Sequence, residues 1–209
     1  QLLLEDLEKE PDKSRYQLGR LIYKGGERLK QIVFDLIESS KFELKRIKLK
    51  KKKENLNVIL KGCIEELIFL ANKRNVFLSA ELGEDKYLNL DRTRIEQVIF
   101  NIISNATKNT QAGGRIFVKL SDNREYLDIS VKDTGIGITD EEKSILFTKF
   151  GKIERYGKGL DVDIDGWGLG LFLSKEIVLL HGGEIIVKSE GRNKGAEFII
   201  RLFKTEQKC

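Results

Sequence analysis

From Asp12 to Lys50 the chain keeps one unbroken apolar rhythm of three- and four-residue steps, whereas beyond Glu54 helical and alternating rhythms take turns in short stretches. A single layer of structure cannot satisfy both. The first stretch predicts a long helix whose stripe is Leu18, Ile22, Gly25, Leu29, Ile32 and Leu36, continued by Ser40, Leu44 and Ile47. Such a helix does not support itself on one short arm, so it is expected in a bundle, across a dimer axis. Pro11 separates it from a short apolar-rich segment, Gln1 to Lys9, because proline suits a first helical turn and not a helix interior. Gly25-Gly26 costs about 1 kcal/mol per residue relative to Ala. The pair marks either a close-packing point or a bend.

The second stretch predicts helices over Val58–Lys73, Asp91–Asn109 (with Asp91 as N-cap) and Leu169–Leu180, the last stopped by His181-Gly182-Gly183. Short strands are expected over Val76–Glu81 and Tyr87–Leu90. A pair, Arg115–Ser121 and Tyr126–Lys132, turns at Asp122-Asn123, and a last hairpin joins Glu184–Ser189 to Ala196–Phe203. Mostly antiparallel connections in this mixture indicate an α+β fold, a two-layer α/β sandwich preceded by a helical hairpin or bundle segment. The expected division is 1–53 for the helices and 54–209 for the sandwich.

Composition removes several alternatives. Apolar residues make up 40 % of 209, enough for a core, and no run reaches the roughly 20 apolar residues of a membrane span. No signal peptide is read. Cys63 and Cys209 are too far apart in sequence for a disulfide framework, and one histidine excludes a His-rich metal site. The net charge of +5 concentrates in Lys41–Lys53. That run is either an anion-binding patch or a solvated helix end at a domain junction. Phe42 is the one aromatic among its lysines, not the interleaving that a base-stacking surface needs, so nucleic acid is not an expected partner. The chain does not begin with Met, and an excised piece of a longer protein is expected.

Three segments carry chemistry. Asn101, Asn105 and Lys108 share a helix face, and two carboxamides with an ammonium suit a hydrated cation beside a polyphosphate. Asp133 ends a strand just before Gly135, Gly137 and Ile138. A carboxylate there can accept from an exocyclic amine, while the glycines allow close approach to a flat ring. Gly166-Trp167-Gly168-Leu169-Gly170-Leu171 opens a helix, where backbone N–H groups and the helix dipole favour phosphate. No GK[ST] follows, so this is not a Walker loop. Taken singly, the asparagines could equally face solvent and the glycines could form ordinary turns. Gly151–Gly168, glycine-punctuated and poor in apolar residues, is expected to be a mobile loop that closes over nucleotide.

In order, spacing and context these segments resemble the sensor histidine kinases of the gyrase, heat-shock-chaperone and MutL-like ATPase superfamily, with its Bergerat ATP-binding fold. Asn101–Thr110 looks like the N box, Asp133–Gly137 the first glycine box, Leu146–Phe150 the F box, and Gly166–Gly170 the second glycine box. The resemblance implies Mg2+ on Asn105 with Asn101 nearby, phosphate on Lys108 and adenine on Asp133. It makes Asn109, Gly135, Gly137, Ile138, Lys149, Lys152, Gly166, Trp167, Gly168, Leu169, Gly170 and Leu171 further nucleotide contacts. ATP-hydrolysing members carry Glu where this chain has Asn101. An amide cannot act as general base, which favours the kinase branch. Asn109, Gly151-Lys152 and Trp167 depart from the usual residues. Lys152 keeps a charge but lacks the fork of an arginine.

The resemblance implies ATP and Mg2+ as ligands, a homodimer formed through the N-terminal helices, a response regulator receiver domain as partner and a cytoplasmic location, whether free or attached to a membrane sensor. A kinase of this type also needs an acceptor histidine on its first bundle helix. The only histidine here is His181, at the end of a helix in the ATP-binding part, so no residue of the chain is assigned a catalytic role and self-phosphorylation is not expected. Two readings stay open: the catalytic part of an active kinase whose acceptor lies upstream, or a degenerate module that binds nucleotide and dimerises.

Overall fold

Residues 13–44, 47–151 and 168–204 are described in a computed structural model of the chain. Two compact units divide it at Arg46/Ile47.

In the first unit one helix, α1, runs over Lys13–Glu43. Its stripe residues Leu18, Ile22, Leu29 and Leu36 are exposed, and a Cβ on Gly25 or Gly26 would meet nothing within 4 Å. The glycine pair therefore makes no close contact with the described residues. The segment Gln1–Lys9 lies outside the described residues.

The expected continuation of this helix to Lys50 is not found. Residues 47–51 are non-helical and lead into strand β1, Lys52–Asn55, which pairs antiparallel with β3, Tyr87–Leu90. In a helix, lysines crowded at three- and four-residue spacings repel one another. On an edge strand the same side chains stand in water and discourage pairing with a further chain. Lys53 also lies over the Tyr87 ring at 5.6 Å.

The remaining elements of the second unit follow their local signals. Asn55 accepts hydrogen bonds from the amides of Asn57 and Val58 and opens α2, Leu56–Lys73. Strand β2 covers Phe77–Glu81. Asp91 accepts from the Arg94 amide and caps α3, Arg92–Asn109. Strands β4 (Arg115–Asp122) and β5 (Tyr126–Asp133) alternate buried and outward residues. A short helix, α4, spans Asp140–Ile145 behind a capping box of Thr139 and Glu142. Helix α5 is Gly170–Leu180, β6 is Glu184–Lys188 and β7 is Ala196–Phe203.

The five-stranded sheet has the order β2-β4-β5-β7-β6, antiparallel except for the parallel pair β2–β4. Helices α2, α3 and α5 cover one face. Leu56, Leu60, Leu67, Ile95, Ile99, Ile102 and Ile177 meet Ile116, Val118, Ile129, Val131 and Ile200 in the core. Each such side chain contributes about 1.5–3 kcal/mol on burial. Burial also pushes the Cys63 thiol up to about 11, so it behaves as a small apolar packing residue. On the other face Arg201 makes two 2.9 Å bonds to Asp128 and lies 3.8 Å above the Tyr126 ring. The fold is the expected two-layer α+β sandwich preceded by a helix. No helix among the described residues is long and apolar enough to cross a membrane.

Candidate functional site

The three segments singled out in the sequence are assembled by α3, by the end of β5 and by the start of α5. Asn101 and Asn105 lie one turn apart on α3, with the Asn105 Nδ2 group donating to Asn101 Oδ1 over a long 3.5 Å. Asn101 Nδ2 donates in turn to Ser174 Oγ on α5 at 2.9 Å, and Ser174 is buried. The amide of Asn101 is thus held between a donor and an acceptor on two helices.

At Gly170, the first residue of α5, a Cβ would come 2.5 Å from Asn101 Oδ1. Only the absent side chain lets the helix start so near the asparagine. Leu169 stands at the N-cap position and supplies no side-chain hydrogen bond to the first-turn amides of α5. Leu169 itself is buried and Leu171 half-buried. The amides of a helix start, a glycine-made space and two carboxamides form a cradle that fits a polyphosphate with a divalent cation. Lys108, two turns from Asn101 on α3, is half-buried.

Asp133 is buried at the end of β5. Its Oδ1 accepts from the Gly135 amide at 2.8 Å and from the Ala196 amide at 3.3 Å. Two N–H donors to one carboxylate fix its direction. The loop that follows is stitched on both sides. The Ile136 amide donates to the Asn109 carbonyl at the end of α3 (3.1 Å), and the Asn193 and Gly195 amides of the β6–β7 turn donate to the carbonyls of Ile136 (2.9 Å) and Gly135 (3.1 Å). Ile138, also buried, donates its amide to Ser189 Oγ at 3.0 Å. The space left by the missing Cβ atoms of Gly135 and Gly137 is occupied by the carbonyls of Asn109 and Gly191. These glycines, expected to admit a flat ring, serve in the fold to draw three stretches of backbone together.

The F-box segment meets the start of α5. Lys149 Nζ lies 5.2 Å from the Phe172 ring centre, and Lys175 Nζ lies 5.8 Å from that of Phe147. A Cβ on Gly168 would stand 2.7 Å from the Phe150 carbonyl carbon. The two ends of the glycine-punctuated loop are therefore adjacent. Lys152, Gly166, Trp167 and the body of that loop lie outside the described residues.

His181 closes α5 and is tied up in the fold. Its Nδ1 is 2.8 Å from the Ile177 carbonyl, and its Nε2 accepts the Asp91 amide at 3.0 Å. Ser174, Ser189, Gly191 and Gly195 were missed by the sequence reading. Ser174 alone left a signal, as the one hydroxyl in the buried stripe of the helix after the glycines.

Residues 90–206, more than half of the chain, match the family model described as histidine kinase-, DNA gyrase B-, and HSP90-like ATPase. The chain is 33 % identical over 202 residues to the alginate biosynthesis sensor protein KinB of Pseudomonas aeruginosa, covering 96 % of this chain and 33 % of that protein. It is 32 % identical over 184 residues to the sensor histidine kinase WalK of Bacillus subtilis, covering 87 % of this chain and 30 % of WalK. It thus spans about a third of the length of these relatives. The solved complex of the histidine kinase ThkA with the response regulator protein TrrA superimposes with a TM-score of 0.73 at 25 % identity, covering 99 % of this chain and 57 % of the other.

Proposed function

The chain belongs to the histidine kinase-, DNA gyrase B-, and HSP90-like ATPase family, as a sensor histidine kinase catalytic domain, and from this we propose that it binds Mg-ATP in the cradle between α3 and the start of α5. In this reading it delivers the γ-phosphoryl group to a histidine on a dimerisation helix, for relay to a response regulator receiver domain. The observation that carries the proposal is the contact of Asn101 with both Ser174 and Gly170, which sets the N box against the second glycine box.

Each residue's part follows from its surroundings. Asp133, oriented by two backbone amides, accepts the exocyclic amine of adenine. Lys108 and the first-turn amides of α5 (Gly170, Leu171) hold phosphate oxygens, with Leu169 and Gly168 shaping the turn beneath them. Asn109, Gly135, Gly137 and Ile138 build the wall of the base pocket, and Lys149 and Lys152 add positive charge at the loop. Asn105 presents its amide oxygen to Mg2+. Phosphate oxygens and water would supply the other ligands of that Mg2+. Bound Mg2+ neutralises charge on the phosphates.

Asn101 holds no proton-accepting group comparable to a carboxylate, and its amide is engaged on both sides. The site therefore positions nucleotide without activating water, which suits transfer to a protein acceptor rather than hydrolysis. Self-association of α1 makes the assembly a homodimer. With both nitrogens of His181 bonded inside the fold, the 209 residues bind Mg-ATP without labelling themselves.

Calorimetric titration of Asp133→Asn tests the pocket. Asparagine keeps an acceptor for the Gly135 and Ala196 amides but turns an N–H toward the adenine amine. The expected result is Mg-ATP binding weakened by at least about tenfold with the melting temperature unchanged. Unchanged affinity, or an acid-labile label from γ-labelled ATP on the wild-type chain, overturns the reading.

A further inference from the structure

Helices α3 and α5 carry the cradle, and they run antiparallel. Asp91 at the start of α3 meets His181 at the end of α5, while Asn101, further along α3, meets Ser174 and Gly170 nearer the start of α5. Two polar ties thus join the pair. One lies at the phosphate end. The other, at His181, lies seven residues beyond Ser174 along α5, about 10 Å away at 1.5 Å per residue. We propose that His181 is a positioning residue for the nucleotide site: its neutral ring clamps the end of α5 to the start of α3 and so fixes the register in which Gly170 and Ser174 face Asn101. This deepens, and rests on, the Mg-ATP reading of that site.

The geometry selects one protonation state. Nε2 accepts the Asp91 amide, so it carries no proton, and Nδ1 donates to the Ile177 carbonyl. The Asp91 carboxylate accepts from the Arg94 amide at 3.3 Å and from the Lys50 amide at 2.8 Å, which also anchors the segment leading into β1. The charged groups facing the ring are the Asp91 carboxylate and the Lys51 ammonium. Burial above all, and then Lys51, hold the imidazole below its ordinary value of 6.5, against the opposing pull of the Ile177 carbonyl and Asp91. Protonation would set an N–H against the Asp91 N–H, two donors facing each other. The sign follows directly. The unfolded chain binds the proton more readily, so the clamp's contribution is complete above the ordinary pKa and is lost as pH falls through the lower folded one.

Mg-ATP affinity is measured by calorimetry on the wild-type chain, His181→Ala and His181→Gln, at about pH 7.5 and about pH 5.5. Glutamine places an acceptor oxygen near the Nε2 position and never titrates. The expected result is about fivefold weaker binding for His181→Ala, the equivalent of one lost hydrogen bond, with His181→Gln within about twofold of wild type at the higher pH. As pH falls, the wild type should lose affinity that His181→Gln keeps, up to about fivefold once the ring is fully protonated. A purely structural histidine would lower the melting temperature of both variants and leave affinity and its pH profile alone. That outcome overturns the proposal, as does glutamine binding as weakly as alanine. A wild-type chain that binds no Mg-ATP refutes the underlying reading instead, and the clamp with it.

Discussion

Gly137 and Gly83 form a matched pair in which one variable changes. Both sit in the left-handed region, at φ +67° and +61°. A Cβ at Gly83 would meet nothing within 4 Å, whereas one at Gly137 would overlap the Gly191 carbonyl oxygen and stand 3.3 Å from that of Gly195. Alanine at either position carries the left-handed penalty, about 1–2 kcal/mol, partly offset by about 0.4–1 kcal/mol from a stiffer unfolded chain. Gly83→Ala should therefore destabilise by about 1 kcal/mol. At Gly137 the obstructing atom is backbone and cannot rotate aside. The β6–β7 turn must retreat, giving up the bonds from Asn193 to Ile136 and from Gly195 to Gly135, each worth about 1 kcal/mol. Gly137→Ala should then lose about 3 kcal/mol in all. Urea titration by circular dichroism reads the difference as a shift in midpoint at constant slope. Mg-ATP affinity should fall only for Gly137→Ala, because the same retreat moves the Gly135 and Ala196 amides that aim Asp133. Equal stability losses in the two variants would refute the claim that the first glycine segment is held by backbone crowding.

At Gly170 the consequence should be the reverse, with function lost and the fold kept. An alanine there gains helix propensity but strikes the Asn101 amide at 2.5 Å, so Asn101 must swing off Ser174. Denaturation midpoints are expected within about 1 kcal/mol of wild type while calorimetry shows Mg-ATP binding reduced by more than about tenfold; retained affinity would count against the cradle. For the helical unit, light scattering should show a dimer that Ile22→Glu together with Leu29→Glu converts to monomer, both residues being exposed on α1. A wild-type chain that stays monomeric at high concentration would remove the seam.

Local periodicity carried most of the fold. Arg92–Asn109 and its Asp91 cap, and the alternation along β4, β5 and β7, are written in consecutive residues, so they could be read directly. The α4 helix was not anticipated: Thr139 and Glu142 have capping-box spacing, but its six residues bury nothing and leave no apolar rhythm. Strand β1 left no signal, because Lys-Lys-Glu-Asn has neither alternation nor β-branched residues. Only its pairing with Tyr87–Leu90 makes it a strand. The parallel join of β2 to β4 likewise depends on residues far apart in sequence. Asn101, Asp133 and Gly170 could be named in advance as chemistry, yet Ser174 and the Gly191–Gly195 turn could not, since their roles exist only once distant segments meet.

The two glycine segments, alike in sequence, solve different problems. In the first, the volume a side chain would take is filled by protein carbonyls, those of Asn109 and Gly191, so the glycines bring the end of α3, the end of β5 and the β6–β7 turn to one place. What they deliver to a ligand is indirect: a buried Asp133 whose carboxylate is aimed by two amides. In the second, Gly170 clears room beside the Asn101 amide and lets the start of α5 stand next to two carboxamides. On the proposed Mg-ATP reading, base recognition rests on rigidity and phosphate binding on proximity. A substitution that loosens the first segment should impair nucleotide binding through the fold, and one that fills the second should impair it directly. That distinction is visible in no property of the glycines themselves, only in what stands where their side chains would be.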